Sequence, residues 1–390
     1  MKQSFQFLWT SQLFANLGDV LYIVGFISVL YHHDATATTL ALLPFLNVCG
    51  RMISSSIAPL LFNRYRLKHL LVTTQLMKTM LLCVLIWVPF ELTLLFTVVS
   101  CIALLDGVAQ PASSALVPRL VSKEALLRAN SILSMVNQST QLGGWALGGL
   151  FVAATSGKIA VFTTAILFTL STVCLIGLKD RQPFQKRTLA KKSDELIEGF
   201  AWIWRHRAMR TIHLVFVIES FASVVWIAAI MYIFVADVLH VSEAWWGYIN
   251  TAFFIGLFIG AMVCTKYETH FNQHVTTWII RSSLCAAVAT LLFGWNEWPL
   301  LALVLSIIFG LFEEMKSQSM TTWIQLHTTE HVLAQVYSAQ SVLNYIAFGS
   351  ATLLVGYLAE CIAIQSIFIG AGLLLLISTI YLYSMKRRFQ

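Results

Sequence analysis

The 390-residue chain is 58% hydrophobic and only 11% charged, where soluble domains carry about a quarter charged residues, and its mean hydropathy is +0.77. That composition excludes a soluble enzyme or nucleic-acid-binding domain and leaves a polytopic membrane protein. The net charge of +7 is not gathered on one soluble face, so it marks topology and predicts no nucleic-acid partner.

A helical span needs ~20 apolar residues. In chain order the apolar segments predict twelve all-α spans, at residues 7–31, 39–62, 69–90, 93–118, 125–155, 159–178, 211–236, 245–265, 275–294, 299–324, 333–357 and 362–385. The first runs on through Gly18 and Asp19 with no small-residue cleavage pattern at its end, so no removable signal is predicted. Five prolines, Pro44, Pro59, Pro89, Pro111 and Pro118, concentrate kinks in the first six spans, whereas Pro299 alone lies in the last six. Twenty Lys and Arg residues fall on one side of this map and only Lys158 on the other. By the positive-inside rule both termini are cytoplasmic. Trp87, Trp245, Trp246, Trp295 and Trp298 then fall at external ends, as an interfacial aromatic belt requires.

Residues 179–210 form the one linker, between bundles at 1–178 and 211–390. It opens basic (KDRQPFQKRTLAKK), then places Leu196, Phe200 and Ile203 at helical spacing. A helix on the cytoplasmic membrane surface fits this pattern better than a nucleic-acid-binding arm. The bundles read as diverged copies. A shift of 207 positions aligns Ser131, Ser134 and Asn137 with Ser338, Ser341 and Asn344, and sets Asp106 on Glu313. Internal repeats with matching intramembrane acids are a common way to build a transporter.

Five acids lie inside predicted spans: Asp19, Asp106, Glu219, Glu313 and Glu314. At ~1.5 Å per residue, Asp19, Asp106 and Glu313 sit about 17–18 Å from the cytoplasmic ends of their spans, near the centre of a ~30 Å core. Each costs on the order of 2.5–3.5 kcal/mol on insertion scales, so these acids must face a bundle interior or a wet cavity, and some must pair. Arg51, equally deep, reads either as the counter-ion of Asp19 or as a cavity residue. Glu313 and Lys316 share a helix face and predict a local ion pair, whereas Glu314 points away and has no evident local partner. Lys78 and Arg281 lie nearer cytoplasmic ends and are expected to snorkel. Asp106 has no cation within a helical turn, and a carboxylate so placed can take up and release a proton as access alternates.

Nothing points to an enzyme. The seven cysteines are scattered singly, which reads as small buried hydrophobes rather than a disulfide framework or metal site. His327 and His331 lack a third ligand, and His32, His33 and Asp34 read as a solvated loop. No phosphate loop, G-x-S-x-G or H-E-x-x-H is present. No cofactor is expected.

Two local patterns carry a family resemblance that covers essentially the whole chain. APLLFNRYRLKHLL (Ala58–Leu71) resembles the loop between spans 2 and 3 of the major facilitator superfamily, with Asn63 in place of the usual aspartate and the basic cluster kept as Arg64, Arg66 and Lys68. GGWALGGL is similar to the span 5 glycine motif of antiporters, matched at Gly144, Gly148 and Gly149, with Trp145 where proline is usual. DGVAQPASSALVPRLVSKEALLRANS further resembles the drug:proton antiporter branch that holds macrolide efflux proteins and the enterobactin exporter, at Pro111, Ala112, Leu116, Val117, Pro118, Leu126, Leu127, Ala129 and Asn130. The resemblance implies the major facilitator fold, two pseudo-symmetric six-helix bundles, and a monomer in a bacterial-type inner membrane. It implies proton-coupled export of amphipathic small molecules such as drugs or macrolides. Siderophore export and lipid flipping by the same fold stand as alternatives, and a membrane enzyme or passive receptor is the reading from a different class. Carried over by span position, the cavity residues are Tyr22, Arg51, Asn137, Gln138, Gln141, Trp226, Asn344 and Tyr345. The proton-coupling candidates are the five intramembrane acids.

Overall fold

The computed structural model describes residues 3–31, 37–87, 91–180, 192–226 and 228–386. His32, His33, Asp34, Pro89, most of the basic linker stretch and the side chain of Trp145 lie outside the described residues. Regular structure among those described is entirely helical, as it must be where no water satisfies backbone groups. The long helices are α1 (Gln3–Tyr31), α2 (Ala37–Ile57), α3 (Leu67–Trp87), α4 (Leu92–Leu120), α5 (Leu126–Ala154), α6 (Gly157–Gly177), α7 (Arg207–Ser223), α8 (Ala244–Lys266), α9 (Val275–Trp295), α10 (Pro299–His327), α11 (Leu333–Cys361) and α12 (Ile364–Ser384). Nine of these, all but α2, α5 and α10, are long and apolar enough to cross a membrane. The three others complete the expected twelve while carrying the polar load: Asn47 and Arg51 on α2, Asn137, Gln138 and Gln141 on α5, Glu313, Glu314 and Lys316 on α10.

The seventh span departs from the continuous helix expected. α7 gives way to a 3-10 turn at Val224–Trp226 and helix resumes over Ala228–Asp237. Ser223, Val224 and Val225 are weak helix formers, which suits a break there. In the linker, a helix over Lys192–Arg205 buries Glu195 and Ile203, half-buries Leu196 and Phe200, and exposes Ser193, Asp194 and Trp204.

The repeat extends to the helix ends. Shifted by 207, Leu92–Leu120, Leu126–Ala154 and Gly157–Gly177 become Pro299–His327, Leu333–Cys361 and Ile364–Ser384. The chain falls into two compact units, residues 1–129, 136–200 and 328–342 in one, and 130–135, 201–327 and 343–390 in the other. Within the first, the main packing runs α1 to α6, α6 to α3, α3 to α4 and α4 to α2; within the second it runs α7 to α12, α12 to α9, α9 to α10 and α10 to α8. The order is the same in both. Large apolar side chains such as Phe45, Leu147, Leu150 and Leu353 point outward, the pattern of a bundle whose solvent is lipid. Trp87, Trp295 and Trp298 are exposed at helix ends, where a membrane interface would receive them.

Helices in lipid gain no hydrophobic drive from meeting each other, so close approach depends on small residues. A Cβ on Gly107 of α4 would collide with the Ser54 hydroxyl and the Arg51 backbone of α2. In the second unit Gly256 and Gly260 of α8 lie against the Ile307 and Leu311 carbonyls of α10, and Gly310 lies against Phe253. These crossings bring α2 to α4, and α8 to α10, at backbone contact. Gly149, by contrast, has nothing within 4 Å of a built Cβ. Gly107→Ala is therefore expected to lower stability by about 1–3 kcal/mol, and Gly149→Ala to leave it unchanged or slightly raised. Thermal unfolding of the two variants in detergent checks this, and equal midpoints would mean that the α2–α4 crossing has slack.

Candidate functional site

The acids inside the helices lie in two ion-paired networks, one in each unit. In the first, Asp106 is the central residue of α4. Lys78 of α3 reaches it at 2.7 Å (Nζ to Oδ1) and reaches Asp19 of α1 at 2.8 Å, so one ammonium bridges two carboxylates. The other Asp106 oxygen accepts from Arg51 at 3.0 Å. Two acids and two bases balance. The Lys78 side chain is 2% exposed and lies 4.4 Å from the centre of the Phe168 ring, whereas the outer members Asp19 and Arg51 are 23% and 26% exposed. The enclosed centre is thus Lys78 with Asp106. Gly107, beside Asp106, permits the close α2 approach that sets Arg51 within reach.

The second network is centred on Lys316 of α10. Its Nζ lies 2.6 Å from Glu313, one turn earlier, and 3.0 Å from Glu219 of α7. The other Glu219 oxygen accepts from Ser283 of α9 (3.2 Å) and Ser378 of α12 (3.4 Å), and Ser283 accepts in turn from Thr379 (2.9 Å). Two carboxylates share one cation here. Lys316 and Glu219 are enclosed, while Glu313 is 25% exposed.

Three expectations are corrected. Asp106 does not lack a cation: both of its cations come from other helices, α2 and α3, which inspection along its own helix cannot detect. Arg51 pairs with Asp106 rather than serving Asp19, whose partner is Lys78. Lys78 does not snorkel; it lies mid-helix on α3 and is buried between two acids, while Arg281 is exposed as expected. The Glu313–Lys316 pair forms as the spacing predicts. Glu314, for which no local partner was evident, accepts a 2.7 Å hydrogen bond from Gln318 one turn on. It is buried beside Gly260 of α8.

Other predicted site residues have varied placements. Tyr22 is packed in the core against Phe26, its hydroxyl accepting from Asn47 at 3.3 Å. Trp226 is stacked on Phe309 (ring centres 4.2 Å apart) among Phe253, Phe293 and Phe368. Tyr22 is thereby enclosed, whereas Trp226 is half-buried. Asn137 is exposed, and Gln138, Gln141 and Tyr345 are half-buried. Asn344 is exposed and accepts from Ser220 at 2.9 Å. At the loop motif, Asn63 is buried and Arg64 and Arg66 are exposed. Lys68 donates to the Ile176 carbonyl at 2.8 Å, at the negative end of α6. Of the α5 glycines, a Cβ added to Gly144 would lie 3.2 Å from Val20 on α1 and one added to Gly148 3.6 Å from Val24, whereas one on Gly149 would meet open space. Ser283, Ser378 and Thr379 are not among the residues that the sequence singles out. The same shift of 207 sets Ser171 and Thr172 on Ser378 and Thr379, whereas Ser283 has no hydroxyl at its counterpart in the first bundle.

Removing the bridging ammonium leaves the buried Asp106 and the half-buried Asp19 with Arg51 alone. Lys78→Met is expected to cost about 3–5 kcal/mol of stability, and adding Asp106→Asn to recover part of that loss by restoring neutrality. Arg281→Met, on the exposed face, is the control. Melting in detergent reads all three, and a Lys78→Met protein as stable as wild type would contradict the bridge.

The comparisons with known proteins agree with this architecture. The Major Facilitator Superfamily profile matches residues 8–352. The uncharacterized MFS-type transporter YfmI of Bacillus subtilis is 30% identical over 98% of this chain and 97% of its own length, and YjbB of the same organism is 27% identical over 94% and 91%. Among solved structures, the MFS transporter FucP in its outward conformation superposes with a TM-score of 0.80 at 13% identity, covering 97% of this chain and 98% of its own. The human organic anion transporter MFSD10 does so with 0.77 at 12% identity, covering 98% and 100%. At such identities the structures speak for the fold, and the profile and YfmI for the family. This chain is a multi-pass membrane transporter of the Major Facilitator Superfamily.

Proposed function

We propose that the chain is a proton-coupled exporter of amphipathic small molecules, drugs or macrolides among them, working by alternating access in a bacterial-type inner membrane. Residues 1–178 and 211–390 act as the two moving bundles, residues 179–210 as the linker, and both termini lie in the cytoplasm, in keeping with the distribution of Lys and Arg. The exporter functions as a monomer. Its cargo is preferentially cationic. The observation that carries this preference is the engagement of the deep cations: Arg51 and Lys78 are held by Asp106 and Asp19, and Lys316 by Glu219 and Glu313. An anionic siderophore would have to break one of these pairs, leaving a buried carboxylate exposed to the cost of desolvation. An amphipathic cation meets one balanced network and one, around Lys316, whose carboxylates outnumber its base, with aromatic side chains able to attract it.

One observation supports a lipid flippase as a second reading. A cleft of ≈540 Å³ opens between α2, α3 and α4, lined by Ile57, Met77, Met80, Val84, Leu104 and Val108 among others, with Ser54 its main polar wall. Met77, Met80 and Val84 are exposed on that face, where a bilayer would lie. Proteoliposomes with an acid interior separate the readings. Ethidium is expected to accumulate inside, to be released by a protonophore, and to be displaced by other amphipathic cations but not by a catecholate. Accumulation that ignores the proton gradient would sink the coupling, catecholate competition would favour siderophore export, and movement of labelled lysophospholipid without ethidium flux would favour the flippase.

A further inference from the structure

The two networks differ in charge, and the difference points to where the coupling proton resides. Around Asp106 the members are Asp19, Asp106, Arg51 and Lys78, two negative and two positive. Each carboxylate already has an ammonium or guanidinium at 3.0 Å or less, so adding a proton leaves a buried cation in excess. Around Lys316 the members are Glu219, Glu313 and Lys316, two negative and one positive. Here adding one proton removes an excess charge. In a setting where each unbalanced charge is costly, an added proton restores neutrality in the second network and breaks it in the first.

The surroundings of Lys316 reinforce the count. α7 brings Glu219 and α10 itself brings Glu313. α9 and α12, packed against these helices, present hydroxyls: Ser283, Ser378 and Thr379. From α10 toward α8 the facing acid is Glu314, held by Gln318 and lying beside Gly260. On α7 the other charged or titratable groups are Arg207 and Arg210 at its start and His213, buried and nearly two turns before Glu219 with its Nδ1 at 2.8 Å from the Met209 carbonyl. The hydroxyl chain from Thr379 through Ser283 donates toward Glu219, fixing that carboxylate as an acceptor. Glu313 is the more exposed of the two acids, 25% against 6%, and gives water its access.

We infer that Glu219 and Glu313 share a single exchangeable proton across Lys316, and that this triad, not Asp106, is the coupling site of the exporter proposed above. The proton adds to a carboxylate oxygen, most accessibly on Glu313. Lys316 keeps its own proton throughout and remains paired with whichever carboxylate stays ionised. The Asp106 network serves as a charge-balanced structural lock.

A shared proton has a signature that a single titrating acid lacks. Neutralising either partner leaves one carboxylate facing one ammonium, which is balanced, so either substitution should abolish the titration. Infrared difference spectra of the purified, reconstituted chain between neutral and acid pH read the carboxylic-acid carbonyl band directly and need no cargo. Subtracting each variant from wild type cancels the surface carboxylates. The expected result is one titrating carboxyl in wild type, lost in Glu219→Gln and equally lost in Glu313→Gln, and retained in Asp106→Asn and Asp19→Asn. A band that persists in either Glu variant, or that disappears in Asp106→Asn, overturns the assignment. Either Glu variant alone can overturn the assignment by keeping the band, so a folding failure of one, seen by circular dichroism and gel filtration, leaves the other able to refute it, and loss in both is what establishes sharing. Ethidium flux in the same proteoliposomes distinguishes this inference from the reading on which it rests. Loss of the band in both Glu variants with no wild-type ethidium flux retains the shared proton and rejects export of this cation. Gradient-driven flux that survives in Glu313→Gln retains export and rejects the triad as its coupling site.

Discussion

An ammonium group among apolar helices is tolerated only where carboxylates surround it at hydrogen-bonding distance. Lys78, with Asp19 at 2.8 Å and Asp106 at 2.7 Å, meets that condition, and the first unit is arranged so that it can be met. Three helices must converge for one side chain, and a fourth supplies Arg51 to the remaining Asp106 oxygen. The chain places these residues far apart in sequence, and helix crossings at backbone contact bring them together. Gly107 allows α2 to close on α4 beside the very carboxylate that Arg51 reaches. Packing and electrostatics are therefore coupled here: a bulkier residue at the crossing would move the guanidinium as well as the helix.

The second unit meets the same constraint with different residues. Its shared acid, Glu313, occupies the position of Asp106 in the repeat, but its cation comes from the same helix one turn away rather than from neighbouring helices. Neither Arg51 nor Lys78 has a basic counterpart: a shift of 207 sets Arg51 on Phe258, the limits of α3 and α9, which differ by 208, set Lys78 on Ala286, and the position corresponding to Lys316 in the first unit is Ala109. Glu219 enters from α7, where the first unit has Gln12. Similar frames thus carry unlike charge patterns, one balanced and one with an extra carboxylate.

The class of fold was legible because it rests on quantities that add along a chain: apolar length, spacing of basic loops, and helical period. The intrahelical pair Glu313–Lys316 was legible for the same reason, since its partners are three residues apart. Pairings between helices were not. Asp106 appeared to lack a cation because Lys78 and Arg51 are 28 and 55 residues away, and Lys78 was dismissed because distance from a span end was taken as a route to water. Burial by neighbouring helices closed that route. The superfamily resemblance sets Tyr22 and Trp226 at a cavity by span position; in the structure Tyr22 packs edge-on against Phe26 and the half-buried Trp226 stacks on Phe309. An aromatic residue inside a span carries the same signal in either role, and only its neighbours distinguish them. The break at Val224–Trp226 was hidden for a related reason, because a short 3-10 turn keeps the apolar content of the helix it interrupts.

The shared helix limits of α4 to α6 and α10 to α12 have a bearing on how such a chain changes over time. With the same lengths and the same connecting distances in both halves, neither half has gained or lost a residue across this whole stretch relative to the other. Substitutions have accumulated on an unaltered frame. Acids and bases could then be exchanged one at a time, each constrained only by local neutrality, without forcing a turn or a crossing to be rebuilt. A duplicated scaffold of this kind lets one half become chemically specialised while the other keeps the role of support, and the division of labour is recorded in side chains while the backbone remains the common ancestor of both.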